Sequence, residues 1–294
     1  MMHAAPLGFP ASPLRPPGAH KGTFGTVIVL GGCRTMFGAP ALAARAALRA
    51  GCGLVKVASD PDTLPWILSL EPSATGIELP ADADEAEAAL DRADPRRTAV
   101  LAVGPGWGAP PHGTLDAAAR ARRELLPRLW AGPRRLVLDA DGLNLLAALL
   151  PDQPPAACPA AVLTPHPGEF ARLADALGIQ ESPTDPAERP AAAAALARRL
   201  GCVVLLKGRH SVIAAADGAA AVNPTGNPVL ATAGTGDVLT GLVASLLAQG
   251  MGAFEAARLG AHLHGLAADR WRDVHGERGL LARELADGLA GVMG

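Results

Sequence analysis

Aromatic residues and net charge are both scarce in this 294-residue chain. Aromatic side chains make up 3% of the residues, tyrosine is absent, and the four tryptophans are scattered, so the sequence offers no stacking platform. The formal net charge is −2, which provides no general attraction to nucleic acid or to an anionic membrane. We therefore expect neither as a partner, and an anionic ligand must be held by local groups.

Paired cysteines and long hydrophobic runs are also missing. The four cysteines lie far apart, without a CxxC pair or a zinc-like spacing, which predicts buried free thiols. Residues 1–20 lack the pattern of a signal peptide, and no window approaches the ~20 uninterrupted apolar residues of a membrane span. We expect a cytoplasmic, reduced setting. The cysteines are Cys33, Cys52, Cys158 and Cys202.

Lysine and asparagine are depleted in favour of other residues. Only three of the 26 basic residues are lysine, and asparagine occurs three times. Since lysine is a compact point charge and arginine a planar fork, the two are not freely exchangeable near phosphate. The retained residues are therefore enriched in positions where arginine or aspartate would not serve; they are Lys21, Lys56, Lys207, Asn144, Asn223 and Asn227.

Apolar segments alternate with helical segments after a proline-rich tail at residues 1–20. Short, continuous apolar runs between helices indicate parallel strands that are covered on both faces. Repetition of this βα unit predicts a doubly wound α/β sheet in one domain over residues 21–294. The predicted strands are Thr26–Gly32, Gly53–Ala58, Thr98–Gly104, Leu136–Asp139, Ala161–Thr164 and Cys202–Leu206.

The pattern changes after Lys207. Asp217-Gly218, between the segments Ser211–Ala215 and Ala219–Val222, is typical of a β-hairpin, so we predict that the sheet ends in an antiparallel element. Long helices are predicted at Gly38–Ala50, Thr235–Gln249 and Ala253–Arg272, with a last short one over Leu281–Val292.

A glycine-rich loop with sequence ATAGTGDVLTG leads directly into one of these helices. Unpaired backbone N–H groups at such a helix start can hold a phosphate or a developing negative charge, which makes Gly234, Thr235 and Gly236 a predicted anion hole. Asp237 follows in the first turn. It is either a helix cap or a general base that accepts a proton from an attacking hydroxyl; the glycines on both sides of Thr235 favour the base.

The glycine loop resembles the phosphoryl-transfer signature of the ribokinase-like superfamily. Together with further segments in the same order, it resembles the ADP-dependent NAD(P)H-hydrate dehydratase branch over nearly all of residues 20–294. The resemblance implies a three-layer α/β/α sandwich with a mostly parallel sheet and an antiparallel edge hairpin. The segments are His20–Gly32, Gly38–Ala58, Val103–Gly108 (VGPGWG), Leu138–Leu146, Leu163–Leu173 (LTPHPGEFARL), Val204–Gly208 and Asn223–Gly241.

The resemblance also implies roles for individual residues. Asp237 would be the catalytic base, and Glu169 would orient Mg²⁺, directly or through water. The hydrated nicotinamide nucleotide would contact Ala39, Gly106, His166 and Asp237. The adenine nucleotide would be bound by Lys207, Gly208, Arg209, His210, Ser211 and Gly236.

Structural explanations compete with several of these roles. Glu169 could simply begin a helix, Lys207 could be a surface lysine at a strand end, and Gly38-Ala39 could serve helix packing. Asn144 is either a pocket residue or a hydrogen-bonding residue inside a helix. His262 and His264 are interpreted as packing or interface residues.

The activity implied by the resemblance is dehydration of the S-epimer of hydrated NADH or NADPH, with ADP as co-substrate and AMP and phosphate as products. Related chains are often fused to an epimerase domain, for which 20 residues are too few, so we expect a separate epimerase partner. A homo-oligomer, a tetramer by resemblance, is also expected. In the loop after the first predicted strand (GGCRTMFGAP), Cys33 and Phe37 replace the more polar residues that are common in related chains.

Two other functions compete with the dehydratase. A kinase for a small alcohol, such as hydroxyethylthiazole or a pyridoxal-like compound, would use the same loop but should lack TPHPGE and NPTGN. A nucleotide sensor without turnover should lack Asp237. A dehydrogenase is disfavoured, because no GxGxxG motif follows the first strand.

Overall fold

The computed structural model describes residues 8–108, 116–152 and 156–293. Strands within these ranges form one sheet in the order β3-β2-β1-β4-β5-β6-β7-β8-β9. The pairs from β3 to β7 are parallel, while β7–β8 and β8–β9 are antiparallel. The strands are β1 Thr26–Leu30, β2 Leu54–Ser59, β3 Thr75–Glu78, β4 Val100–Val103, β5 Leu136–Leu138, β6 Ala161–Leu163, β7 Val203–Leu206, β8 Val212–Ala215 and β9 Ala220–Val222.

Helices cover both faces of this sheet and complete a three-layer sandwich. Alternate strand residues point to opposite faces; Val27 and Val29 join the core under α1, α8, α9 and α10, whereas Ile28 and Leu30 join the core under α3 to α7. The helices are α1 Gly38–Arg49, α2 Leu64–Leu70, α3 Ala83–Ala93, α4 Ala117–Ala131, α5 Ala140–Leu149, α6 Pro167–Leu177, α7 Arg189–Leu200, α8 Thr235–Ala248, α9 Ala253–His275 and α10 Ala282–Gly288.

The α/β class, the parallel strands and the antiparallel end of the sheet are confirmed. The sequence analysis missed α2, β3 and α3. The predicted strand at Thr98–Gly104 is present as β4, and it is the fourth strand of the chain rather than the third because β3 precedes it. Strand β3 lies at the edge of the sheet and buries only Ile77, so it contains no apolar run. The final predicted helix ends earlier, at Gly288, and continues as a short 3-10 turn.

Residues 8–20 pack against the domain without forming a helix or strand. The Phe9 ring stacks on His262 with 4.0 Å between centroids, and Arg15 donates to the Gly51 carbonyl at 2.8 Å. Residues 1–7 of the predicted tail lie outside the described residues. All four cysteines have free thiols; three are buried, and Cys33 is half-buried. No helix in the described part of the chain has the length and apolar character needed to cross a bilayer.

Candidate active site

The carboxyl ends of the central parallel strands provide the place where the predicted residues gather. Strands β1 and β4 are neighbours but not consecutive in sequence, so the connections after them leave in opposite directions along the sheet. Ligands of open α/β sheets bind in the crevice at such a switch point. One end of the site lies at the carboxyl ends of β5 to β7, and the other lies after β1 and β4.

A buried lysine and two carboxylates form the charged end. Lys207, directly after β7, lies with its Nζ 2.6 Å from Asp139 Oδ1 and 3.7 Å from Glu169 Oε2. Asp139 follows β5 and is 1% exposed. Its Oδ2 accepts a hydrogen bond from the Thr240 hydroxyl at 2.7 Å. Lys207 is therefore not the surface lysine that the sequence left open, because its side chain is 18% exposed and paired.

The glycine loop brings Asp237 to this cluster. Gly234 is the N-cap of α8 and has a φ of +91°, which permits the tight entry into the helix. Asp237 lies in the first turn, as predicted. A Cβ at Gly236 would lie 3.4 Å from Lys207 Nζ, so the turn passes directly beside the ammonium group. Among the described residues nothing donates a hydrogen bond to the Asp237 carboxylate, so the helix-cap alternative is not supported.

Burial and neighbouring negative charge set the protonation of the cluster. Burial, followed by the charge of Asp139, raises the pKa of Asp237 to about 7. Burial also raises the pKa of Glu169 to about 7. For Lys207 burial favours the neutral amine, but the carboxylates of Asp139 and Glu169 outweigh it and raise the pKa. Lys207 is thus a permanent cation near neutral pH, while Asp237 is balanced between its acid and its base forms.

His166 and Glu169 form a capping box at the start of α6. His166 Nδ1 accepts from the backbone N–H groups of Gly168 and Glu169, and Glu169 Oε2 accepts from His166 N at 2.8 Å. Glu169 therefore lies in the first turn of the helix, which was the structural explanation considered for it. Its Oε2 also faces the Lys207 ammonium. The His166 ring is half exposed at this edge of the sheet, where a ligand can reach it.

At the other end of the site, after β1 and β4, backbone atoms rather than charged side chains form the surface; we call this the glycine end. Gly106 has a φ of +60°, and a Cβ there would lie 2.4 Å from the Met36 carbonyl and 3.2 Å from Ala39 Cβ. The structure thus brings together two residues that the resemblance assigned to one substrate. Gly108 N donates to Asp141 Oδ2 at 2.7 Å, and the charge of Asp141 also contributes to the raised pKa of Asp237. The first turn of α5 therefore connects the two ends.

Two residues that were not predicted as site residues hold the loop after β4 and the glycine-rich loop before α8 in place. The Arg122 guanidinium donates to the Trp107 carbonyl and to Asp60 Oδ2, the latter at 2.5 Å, which anchors the loop after β4. His264 Nε2 lies 2.8 Å from the Thr235 carbonyl. Burial lowers the pKa of His264 to about 4, so the ring is neutral and its Nε2–H donates to Thr235. His264 packs, as predicted, and it packs against the glycine loop.

The remaining predicted residues form the turn between β7 and β8. Residues 208–210 are exposed, Ser211 is half-buried, and the Ser211 hydroxyl donates to the Gly208 carbonyl at 3.0 Å. His210 has a φ of +53°, which is uncommon for a residue with a Cβ. This turn continues from Lys207 toward solvent, so its exposed backbone is free for a ligand.

Sequence reasoning missed Asp139, Asp141 and Thr240. An acidic residue directly after a predicted strand was a usable signal for Asp139, because the carboxyl ends of parallel strands meet at one edge. Thr240 was hidden in the apolar pattern of α8. Asn144 remains without an assigned role: its Oδ1 is buried and has no hydrogen-bond partner in the described ranges.

The carboxylates do not by themselves form a metal site. No group of three or more His, Cys, Asp or Glu residues in the described part of the chain is arranged to hold a metal ion. The Lys207 ammonium lies between Asp139 and Glu169, where a cation would otherwise be bound. The residues therefore fit a metal ion only if it arrives with other ligands, such as phosphate oxygens or water.

Comparison with known proteins identifies the family. A family model described as NAD(P)H-hydrate dehydratase matches residues 27–290. The ADP-dependent (S)-NAD(P)H-hydrate dehydratase of Neisseria meningitidis is 42% identical over 91% of this chain and 84% of its own length. Other relatives are bifunctional NAD(P)H-hydrate repair enzymes, and this chain spans about half of their length (51% and 49% for two of them).

Solved structures agree with the sequence match. The ADP/ATP-dependent NAD(P)H-hydrate dehydratase of Bacillus subtilis, co-crystallised with ATP and Mg²⁺, has a TM-score of 0.73 at 31% identity and covers 96% of this chain and 93% of its own. A ribokinase-like superfamily protein from Enterococcus faecalis has a TM-score of 0.75 at 28% identity over 96% and 91% of the two chains. With the fold and the sequence match in agreement, this chain belongs to the NAD(P)H-hydrate dehydratase family, hydro-lyases on the ribokinase-like fold.

Proposed function

We propose that the chain dehydrates the S-epimer of hydrated NADH and NADPH, using ADP as the phosphoryl donor. The observation that carries this proposal is the position of Asp237, which lies at a glycine-rich helix start beside a buried lysine and has no hydrogen-bond donor of its own among the described residues. A pKa of about 7 suits a group that must accept a proton near neutral pH.

The proposed reaction begins with proton removal. Asp237 accepts the proton of the hydroxyl on carbon 6 of the hydrated ring, and that oxygen attacks the terminal phosphorus of ADP. The bond from this phosphorus to the bridging oxygen breaks, and AMP leaves. Backbone N–H groups of Gly234, Thr235 and Gly236, with the ammonium of Lys207, stabilise the charge on the transferred phosphoryl group.

Water loss is completed by departure of phosphate. The ring nitrogen lone pair expels phosphate from carbon 6, and transfer of a proton from carbon 5 to solvent restores the ring double bond. Hydroxide is a poor leaving group and phosphate a much better one, which explains why a kinase-like site would serve a dehydration. The phosphorylated nucleotide is an intermediate that the enzyme does not release.

ADP would occupy the charged end of the site, and the hydrated nucleotide would extend from the glycine end to the charged end. We assign ADP to Lys207, Gly208, Arg209, His210, Ser211 and Gly236, and the hydrated nucleotide to Ala39, Gly106, His166 and Asp237. Mg²⁺ would enter on the phosphate oxygens, with Glu169 orienting it through water; when bound, it would neutralise phosphate charge.

The setting and the assembly of the enzyme belong to the same proposal. Four free thiols suit a reducing cytoplasm. A homo-oligomer and a separate epimerase, which supplies the S-epimer, are proposed from the family resemblance.

Recovery of the dihydronicotinamide absorbance tests the proposed function. Purified protein is incubated with chemically hydrated NADH or NADPH and Mg²⁺, with ADP and ATP compared in parallel, and AMP is measured beside the absorbance. We expect absorbance and AMP to rise in equal amounts with ADP. Phosphorylation of an added alcohol such as hydroxyethylthiazole, without any absorbance recovery, would instead identify a small-molecule kinase.

A further inference from the structure

Asp139 has an environment that the proposed reaction does not yet explain. It is a buried carboxylate, and each of its oxygens has a separate partner: Oδ1 pairs with Lys207 Nζ at 2.6 Å, and Oδ2 accepts from the Thr240 hydroxyl at 2.7 Å. Lys207 directly follows β7 and Thr240 lies in α8, so the two partners come from the parts of the chain to which we assign the nucleotide and the anion hole. Two bonds from two elements leave the carboxylate a single orientation.

The backbone around Asp139 is constrained as well. Asp139 N donates to the Val103 carbonyl at 3.1 Å, and the Asp139 carbonyl accepts from Gly142 N at 2.9 Å. Between them, Ala140 has a φ of +49°, a left-handed conformation that a residue with a Cβ rarely adopts. Strain of this kind persists only where surrounding contacts enforce it, and it concentrates at functional sites.

Lys207 has three carboxylates within its electrostatic reach, namely those of Asp139, Glu169 and Asp237. It pairs most closely with Asp139. Held by Asp139, the Lys207 ammonium lies beside the backbone turn at Gly236. The described structure shows no ion pair between Lys207 and Asp237. A direct bond from Lys207 would occupy the oxygens with which Asp237 has to accept a proton.

We infer that Asp139 is a positioning residue that, oriented by Thr240, holds the Lys207 ammonium against the anion-hole turn and away from an ion pair with Asp237. It touches neither nucleotide in the proposed reaction and acts through Lys207. The inference rests on the proposed function for its catalytic meaning, whereas the pairing itself is a property of the folded chain.

Lysine NMR tests the pairing without any assay of activity. The chain has three lysines, so protein labelled with ¹³C at lysine Cε gives three resonances, with Lys21 and Lys56 as internal references. In D139N the opposing carboxylate is lost while burial remains. We expect the Lys207 midpoint to move down by at least about one pH unit, a tenfold change in proton affinity. An unchanged Lys207 midpoint in a folded D139N protein would overturn the inference.

The kinetic arm separates positioning from a general structural role. We expect D139N to lower kcat by about 10- to 100-fold, the usual cost of removing a partner that orients a catalytic group, with a smaller change in the KM for ADP. The acid limb of kcat/KM should move to lower pH for two reasons: the charge of Asp139 no longer raises the pKa of Asp237, and Lys207 becomes free to pair with Asp237. D94N is the matched control: Asp94 also holds a buried cation, Arg134, but this pair precedes β4 and β5 and so lies at the amino ends of the strands, at the opposite edge of the sheet from the cluster. It should leave both the Lys207 midpoint and the acid limb in place.

Thr240 provides a second variant if D139N does not fold. T240V removes the hydroxyl, which bonds Asp139 Oδ2 at 2.7 Å and the Gly236 carbonyl at 3.1 Å, and T240S retains it. Because the Gly236 contact could affect kcat directly, the Lys207 midpoint is the decisive readout for this pair of variants. We expect T240V to shift the Lys207 midpoint and kcat in the same direction as D139N by a smaller amount, with T240S restoring most of the loss; equal behaviour of the two variants would reject the inference. If the chain shows no dehydratase activity at all, the proposed function fails, and the lysine titration alone still decides the pairing.

Discussion

At the carboxyl ends of β5 to β7 the candidate site consists of charged side chains, whereas after β1 and β4 it consists of closely packed backbone. The charged end keeps Asp139, Glu169 and Lys207 mostly out of water and fixes them by ion pairs and hydrogen bonds. The glycine end has almost no room for additional atoms beside Gly106. One end is therefore suited to control protons and phosphate charge, while at the other the packing of Gly106 fixes the main chain against which we propose that the hydrated nucleotide binds.

Removal of the base should have the largest effect at the charged end. We expect Asp237→Asn to lower kcat by about 10²- to 10⁴-fold, the usual contribution of general base catalysis, because an amide cannot accept the proton. ADP binding, measured by calorimetry, should persist. Asp217→Asn is a matched control, since Asp217 caps the exposed hairpin turn and should leave turnover unchanged. Substantial turnover by Asp237→Asn would remove the base assignment.

The pH dependence sharpens the same prediction. The base must be ionised, so kcat/KM should rise with pH through about 7 and then level off; Asp237 and Glu169 both have pKa values near 7 and would titrate together. Because the pKa of Asp237 is higher in the folded than in the unfolded chain, its contribution to stability is lost as pH rises through about 7. Thermal unfolding should therefore show Asp237→Asn more stable than the wild type at pH 8, with a smaller difference at pH 5.

At the glycine end the largest effect should come from Gly106→Ala. The added Cβ would meet the Met36 carbonyl, and the left-handed φ would be strained, so we expect the free energy of unfolding to fall by about 2–4 kcal/mol. The KM for the hydrated nucleotide should rise more than kcat falls. Gly178→Ala separates strain from steric conflict, because Gly178 has a φ of +67° and open space around its Cβ position. Equal losses for both variants, without a change in KM, would contradict the proposed ligand surface.

We expect the smallest effect from loss of the hydrogen bond between His264 and the Thr235 carbonyl in the proposed anion hole. His264→Leu removes the donor to the buried Thr235 carbonyl, so we expect a loss of about 1–2 kcal/mol in the free energy of unfolding, together with a lower kcat. His262 lies on the same helix, and neither of its ring nitrogens has a partner in the described structure. His262→Leu removes the ring contact with Phe9 but no hydrogen bond of the described residues, so it should cost less stability than His264→Leu and leave kcat unchanged. If chemical denaturation gave equal losses, the Thr235 contact would carry no special weight.

Much of the fold could be read from the sequence because buried parallel strands leave continuous apolar runs. The hairpin was predicted for a similarly local reason, its Asp217-Gly218 turn. Strand β3 could not be found in this way, since it lies at the sheet edge and buries one side chain. The part of the site that one loop and the following helix form was also predicted, since residues 234–237 lie at the start of α8 as expected.

The sequence by itself determined the order of the buried strands and the long helices, and it placed Asp237 in the first turn of its helix, because these features depend on neighbouring residues. The tertiary structure alone decided which groups face one another. Asp139 and Lys207 are separated by 68 positions, and Asp139 and Thr240 by 101, and they meet because parallel strands end at one edge of the sheet. Burial at that edge then raises the pKa of Asp237 to about 7. This shift depends on what surrounds the carboxylate in the folded chain, so it cannot be read from the position of Asp237 in the sequence.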